Sequence, residues 1–295
     1  MRWLLGKRPQ KPAGWDTRVR AAKKRAERWA NGTLKLKKGE TFEFEDLWSA
    51  HKVAFALAIH GKCAYCELPI DDDDAGGDLD HYRPKKEITE LSDDPTTWGE
   101  EREGHNSRDP KSPRKMPRVA RGYFWLAYEW DNYIFSCGTC NSKWKDNLFP
   151  IVGGHHGDPT PASCAQEKPL LLDPYGSVNP ANHLEFDKSG LVTERNDSEF
   201  GIETIRVCSL MRYTLLAARR RVAREAWGYI KNLNNELKTM PHHDEPRLRR
   251  ALKNVLHYGH SKEPHAGMVR ILWKQADEVG FSWKQLRALQ KALSP

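Results

Sequence analysis

Two Cys-x-x-Cys pairs constrain the fold of this 295-residue chain more than any other feature of its sequence. The pairs are Cys63/Cys66 and Cys137/Cys140, and 70 residues separate them. Each pair can place two sulfur atoms on one side of a tight turn, so the two pairs supply the four thiolates of a tetrahedral zinc site. Coincidence or a redox pair are the alternatives, but in a reduced compartment paired CxxC motifs indicate metal before disulfide. The sequence therefore predicts a structural zinc ion that brings the two segments together.

Composition bounds the class of protein that this zinc would stabilise. Charged residues make up 30% of the chain and hydrophobic residues 38%, which is typical of a soluble globular protein. No apolar run approaches the length of a bilayer span, and the first residues lack the apolar core of a secretory signal. We therefore expect a cytoplasmic protein with one large domain or two ordinary ones.

The net charge of +8 is unevenly distributed along the sequence. Residues 1–38 carry thirteen Lys and Arg against two acids, and residues 206–224 carry six Arg and no acid. Residues 71–103 carry thirteen acids against four bases. Basic segments around an acidic pocket suit a polyanionic substrate with a metal at the chemistry, although a solvated surface is the alternative for any single charge run.

Local patterns predict short strands in the middle of the chain and helices towards both ends, an α+β arrangement. Predicted helices cover residues 15–30, 41–61, 140–147, 204–230, 245–258, 265–278 and 282–293. Predicted strands lead into Asp80, close the stretch 122–136 and lie near 184–193, and a long loop occupies 92–120.

These elements divide the chain into four predicted regions. They are a basic helical region (1–60), a core carrying both CxxC pairs (61–150), a loop-rich bridge (151–203) and a helical C-terminal domain (204–295).

The residues between the CxxC pairs have the types that phosphodiester hydrolysis requires. His81 is the candidate general base, since imidazole titrates near neutral pH. Asp80 beside it is the candidate hard-oxygen ligand for Mg²⁺ or Mn²⁺. Neighbouring side chains on a strand point to opposite faces, so both can serve one site only if the backbone twists or bulges there.

The order of motifs resembles that of the HNH nuclease family. It runs from the first CxxC through Asp80-His81-x-x-Pro84 and Asn132 to the second CxxC, which Asn141 follows directly. The resemblance implies a ββα-metal core, stabilised by zinc and framed by helices. It also implies that Asn141 is a second metal ligand through its amide oxygen, and that Asn132 orients His81 and braces the hairpin. Asp131 is the rival ligand in the middle motif.

Four basic residues near these motifs are candidates for holding the phosphate backbone. They are Arg83, Lys85, Lys143 and Lys145.

Further blocks resemble one subfamily, the retron-associated HNH endonucleases with the Septu-type, PtuB-like proteins. They include GKCAYCE (61–67), WLAYEWDN (125–132), CNSKWKDNLFP (140–150) and PLLLDP (169–174), and the likeness covers most of residues 1–232. It implies an anti-phage endonuclease with an ABC-type ATPase as partner. The apolar residues of this part of the chain belong either to an interface or, as we expect, to the core of the helical region. They are Leu272, Trp273, Phe281 and Trp283.

Three functions therefore stay open at the level of sequence. The first is a metal-dependent endonuclease acting on DNA. The second is the same chemistry on RNA, because backbone contacts and attack by a metal-bound water do not require deoxyribose. The third is a zinc-stabilised module that binds nucleic acid or a partner without catalysis.

Overall fold

The structure, a computed structural model, describes residues 1–70, 77–90, 118–239 and 245–293. Within these ranges the chain is an α+β protein of small antiparallel sheets and many helices, as its sequence predicts. The helices are α1 (Trp15–Ala30), α2 (Lys52–Ala58), α3 (Pro161–Cys164), α4 (Glu199–Val207), α5 (Tyr213–Lys238), α6 (Glu245–Tyr258), α7 (Ala266–Ala276) and α8 (Trp283–Ala292). The strands are β1 (Asp78–His81), β2 (Glu87–Thr89), β3 (Arg118–Arg121), β4 (Tyr133–Ser136), β5 (Leu184–Phe186) and β6 (Val192–Glu194).

Strands β1 and β4 form an antiparallel pair between the two CxxC motifs, with His81 opposite Tyr133. A π-helix, Thr139–Lys145, follows β4 directly. Its wide turn is closed by a 2.6 Å hydrogen bond from the Asp146 amide to the Asn141 carbonyl, a step of five residues. The predicted strand into Asp80, the strand closing residues 122–136 and the short helix after the second CxxC are all confirmed.

The predicted helix over 41–61 is wrong in its first half. Only the 3₁₀ turn Ser49–His51 and α2 are helical there. The rings of Phe42 and Phe44 both pack against Trp29, at centroid distances of 4.6 and 5.8 Å. Side chains two residues apart face one partner when the chain is extended, so the alternation of aromatic residues decides this segment.

The loop predicted over 92–120 needs a partial correction. Residues 92–117 lie outside the described ranges. The end of the segment belongs to β3, which pairs antiparallel with β2 and aligns Ala120 with Ile88.

The long helix predicted from residue 204 is two helices, because the chain breaks between Val207 and Tyr213. Ser209 adopts a left-handed backbone with φ of 43°, and Arg212 turns into the protein, where its guanidinium donates to the Cys208 and Ser209 carbonyls. The predicted strand pair near 184–193 and the three following helices are confirmed.

One hydrophobic core joins all four predicted regions. Trp15, Tyr133, Leu172 and Trp273 each come from a different region and belong to the same buried cluster. Trp273 and its neighbour Leu272 are therefore core residues, as expected. Among the described helices, none has both the length and the apolar character needed to cross a membrane.

Candidate metal centre and active site

The four predicted cysteines come together in the structure. Their sulfur atoms all lie within 4.8 Å of one another, and the Cys66 and Cys137 sulfurs are 3.9 Å apart. Tetrahedral zinc with Zn–S bonds of about 2.3 Å requires sulfur atoms about 3.8 Å apart. The cluster therefore fits a zinc ion and could hold it.

Backbone hydrogen bonds hold the first CxxC turn in place. The Cys63 amide donates to the Leu68 carbonyl and the Glu67 amide to the Cys63 carbonyl, both at 2.9 Å. The Ala64 amide donates to the Phe135 carbonyl at 3.0 Å, which ties the turn to β4. The second pair follows β4 directly, so one short strand positions all four thiolates.

Asp80 lies inside the protein beside this cluster and is 3% exposed. Its Oδ2 accepts a 2.7 Å hydrogen bond from the Tyr65 hydroxyl, and its Oδ1 accepts a 2.9 Å bond from the Lys145 ammonium. Lys145 also donates to the His81 carbonyl at 2.8 Å. Burial raises the pKa of Asp80, and the neighbouring ammonium opposes that rise.

This arrangement corrects two predictions. Lys145 has a fully buried side chain paired with Asp80, so it is not presented to a phosphate backbone. Both oxygens of Asp80 are hydrogen-bonded within the protein, so Asp80 does not fit the role of a ready Mg²⁺ or Mn²⁺ ligand. Asn141 lies half-buried on the π-helix. In the described part of the chain, the cysteines are the one group of three or more His, Cys, Asp or Glu side chains close enough to share a metal ion.

The His81 ring occupies the opposite face of β1. Its Nε2 lies 2.9 Å from the Ala127 carbonyl oxygen. A carbonyl only accepts, so Nε2 carries the proton and Nδ1 keeps its lone pair. Nδ1 faces the Lys85 ammonium at 3.3 Å. Burial, and after it the charge of Lys85, hold the pKa of His81 well below its usual 6.5. The ring is therefore a neutral imidazole with one basic nitrogen.

The register of the strand pair separates the two motif residues. Asp80 is aligned with Ile134 and His81 with Tyr133, with no bulge between them. The twist or bulge that would bring both side chains to one site is therefore absent from this pair.

A cover lies over His81, which is 5% exposed. The Trp48 ring meets the imidazole edge-on at a centroid distance of 4.6 Å. The Lys85 ammonium lies 4.7 Å from the centre of the same Trp48 ring. Trp48, at the start of the turn before α2, and Lys85 thus close the entrance to Nδ1.

Asn132 braces the turn after β1. Its Oδ1 accepts from the Arg83 amide at 2.8 Å, and its Nδ2 donates to the carbonyls of Arg83 and Leu126 at 3.0 and 3.1 Å. Both amide hydrogens are therefore used. The orientation of His81 predicted for Asn132 is supplied instead by the Ala127 carbonyl.

The remaining predicted phosphate contacts differ in availability. Arg83 forms an ion pair with Glu167 and lies 4.8 Å from the Tyr123 ring centre, so its guanidinium is already engaged within the protein. Lys85 caps the basic nitrogen of His81. Lys143 is exposed on the π-helix. The rival ligand Asp131 is also exposed and lies 3.6 Å from the Arg8 guanidinium.

Two contributors to the site were missed from the sequence. Tyr65 is the second residue between Cys63 and Cys66, and this position within a CxxC motif could have indicated it. The Ala127 carbonyl is a backbone group, so the amino-acid type at this position does not indicate its role as a hydrogen-bond acceptor.

Comparisons with known proteins give one informative likeness. The chain is 31% identical to the Septu protein PtuB of Bacillus mycoides (strain KBAB4) over 167 residues, which are 57% of this chain and 48% of PtuB. It thus spans about half the length of the curated relative it matches. No protein-family model and no solved structure matches the chain. The predicted resemblance to the Septu PtuB-like subfamily is confirmed by this similarity.

Proposed function

We propose that this protein is an endonuclease of the HNH type that hydrolyses phosphodiester bonds in DNA. The observation that carries the proposal is the neutral His81 ring, held through Nε2 by Ala127 with Nδ1 free of any proton of its own. A neutral imidazole in a fixed orientation is what general-base activation of water requires. The similarity to Septu protein PtuB supports the same reading.

In this proposal β1, β4 and the π-helix form the ββα core, and zinc at the four cysteines fixes their relative positions. The division into regions 1–60, 61–150, 151–203 and 204–295 is retained as part of it. His81 Nδ1 takes the proton of the attacking water. Lys85 lies 3.3 Å from that nitrogen, so a phosphate that draws this ammonium away both uncovers the base and gains a counter-charge. Lys143 is the exposed candidate for a second phosphate contact.

A catalytic Mg²⁺ or Mn²⁺ ion is proposed from the family resemblance alone. The residues present do not offer it a ready site, because Lys145 already neutralises Asp80. No step of the reaction is therefore assigned to a metal ion here.

We further propose that the protein is an anti-phage effector controlled by an ABC-type ATPase. The covered state of His81 supports a controlled enzyme, since Trp48 and Lys85 close the approach to its basic nitrogen. A partner that shifts segment 41–48, which carries Trp48, would expose the base. The ATPase itself rests on the resemblance.

The test is cleavage of plasmid DNA and of RNA by wild type and His81→Ala, with and without Mg²⁺ or Mn²⁺. Wild type is expected to cut DNA. His81→Ala is expected to cut about 10²- to 10⁴-fold more slowly, the contribution of a positioned general base. His257→Ala, which removes a histidine with a 60% exposed side chain, is the matched control and keeps full activity.

Three outcomes would contradict parts of this proposal. Cleavage of RNA alone would replace the substrate. Equal cleavage by wild type and His81→Ala would remove His81 from the mechanism. If neither DNA nor RNA were cleaved, even with the ATPase partner present, the result would favour a zinc-stabilised binding module without catalysis.

The pH dependence of cleavage is a second prediction. The base acts only when neutral, and the pKa of His81 lies below 6.5. Cleavage is therefore expected to rise with pH only below 6.5 and to be level with respect to this group from there to about pH 8. The pH dependence of kcat/KM, which reports the pKa values of the free enzyme, tests the prediction. A rise that continues above 6.5 and disappears in His81→Ala would contradict it.

A further inference from the structure

Two arginines are buried beside the cysteine cluster without an acidic partner among the described ion pairs. Arg212 is 2% exposed and Arg219 is 3% exposed. Buried charges are normally paired, because an isolated ion in a protein interior loses its hydration without compensation. The counter-charge of these two cations must therefore be sought among other groups.

Arg212 points at the cysteines. One of its terminal nitrogens lies 3.5 Å from the Cys140 sulfur. The other donates to the carbonyls of Cys208 and Ser209 at 3.1 and 3.2 Å. These contacts form in the break between α4 and α5, and they explain why the helix predicted from residue 204 is interrupted there.

Arg219 lies two turns further along α5 and faces the same way. Its guanidinium donates to the Leu210 carbonyl and lies 5.6 Å from the centre of the Phe186 ring. Its Nε has no hydrogen-bond partner among the described residues. Burial and the charge of Arg212 lower the pKa of Arg219 to about 9, while Cys66, Cys140 and Asp187 oppose this. Of these three opposing groups the cysteines are buried and Asp187 is exposed.

The charges balance when the cysteines hold zinc. Four thiolates and one Zn²⁺ carry a net charge of −2, and the two guanidinium groups carry +2. Elsewhere in this interior Lys145 pairs with Asp80, and Glu67 pairs with the N-terminal ammonium. Burial raises the pKa of Cys208, which keeps that thiol neutral.

We propose that Arg212 and Arg219 are the counter-cations of the zinc tetrathiolate, and that this charge pairing fastens α4 and α5 to the metal-bearing core. The zinc centre then has two tasks. It joins the two CxxC segments, and it joins the core to the helical C-terminal region. Without the zinc tetrathiolate the two buried cations would have no counter-charge beside them. Docking of α5 thus depends on metal loading, whether or not the protein is a nuclease.

Zinc affinity of the full-length, zinc-loaded protein tests the proposal. Arg212→Met and Arg219→Met are each expected to weaken zinc binding about 10- to 100-fold, as for other groups that support metal ligands from outside the first shell. Transfer of zinc to a chromogenic chelator measures this. Arg220→Met, which removes the exposed neighbouring arginine of α5, is the matched control and stays within about two-fold of wild type.

A second variant separates charge from packing. Arg212→Lys keeps the cation and is expected to hold zinc more tightly than Arg212→Met, with the cobalt-substituted protein showing its thiolate charge-transfer band. Limited proteolysis of the zinc-loaded proteins should cleave within residues 208–212 in Arg212→Met and leave this segment protected in wild type and in Arg220→Met. Wild-type affinity in both Met variants, equal losses in the Lys and Met variants at Arg212, or unchanged protection of residues 208–212 in Arg212→Met would each overturn the proposal.

Discussion

Removal of zinc is expected to unfold this protein. Structural zinc contributes about 10–16 kcal/mol of apparent binding free energy in small zinc domains, whereas a whole domain has a net stability of about 5–15 kcal/mol. Cys140→Ser removes one fully buried thiolate from the cluster and should therefore abolish cooperative folding at ordinary temperatures. Chelation of the wild-type protein should have the same result.

The measurement is thermal unfolding followed by circular dichroism, together with the zinc content of purified protein. Wild type is expected to hold one zinc per chain. Cys164→Ser, a change to a half-buried cysteine outside the cluster, should keep both the zinc and the melting temperature. If Cys140→Ser melted like Cys164→Ser, the four cysteines would not be the structural centre of this fold.

The second large effect is expected from the buried pair of Lys145 and Asp80. Lys145→Met leaves the Asp80 carboxylate buried beside Tyr65 with no cation, because no other ion pair of Asp80 exists among the described residues. Breaking a buried pair in this way costs about 3–5 kcal/mol. Lys143→Met changes an exposed lysine of the same π-helix and should alter the free energy of unfolding by less than about 0.5 kcal/mol.

Denaturant unfolding of Lys145→Met, of Asp80→Asn and of the double variant Lys145→Met/Asp80→Asn measures this coupling. The double variant is expected to recover much of the loss, since no unpaired charge remains. The sequence alone suggested that Lys145 contacts phosphate. In that case Lys145→Met would lower DNA affinity and leave stability unchanged, and this outcome would contradict the buried pair.

The sequence by itself determined the features that depend on spacing along the chain. The CxxC spacing determined which four side chains meet, because a short turn holds both sulfurs of each pair regardless of the rest of the protein. Apolar periodicity determined α1, α6 and α8. Because neighbouring side chains of a strand point to opposite faces, the sequence also indicated that Asp80 and His81 face opposite ways. A helix 204–230 failed for the converse reason, since its break is made by a contact between Arg212 and Cys140 that lies 72 positions away.

Only the tertiary structure decided what each charged residue does. The sequence does not distinguish the four basic residues near the predicted catalytic motif, which are Arg83, Lys85, Lys143 and Lys145. In the folded chain Arg83 pairs with Glu167, Lys145 with Asp80, and Lys85 caps His81, while Lys143 is exposed. The partner of a charge is whichever group the fold places opposite it, and burial then determines whether that pair is structural or free to meet a substrate. Local sequence determines neither the partner of a charged side chain nor its burial. Spacing along the chain therefore identified the metal centre, whereas the packing of distant segments assigned roles to the residues around it.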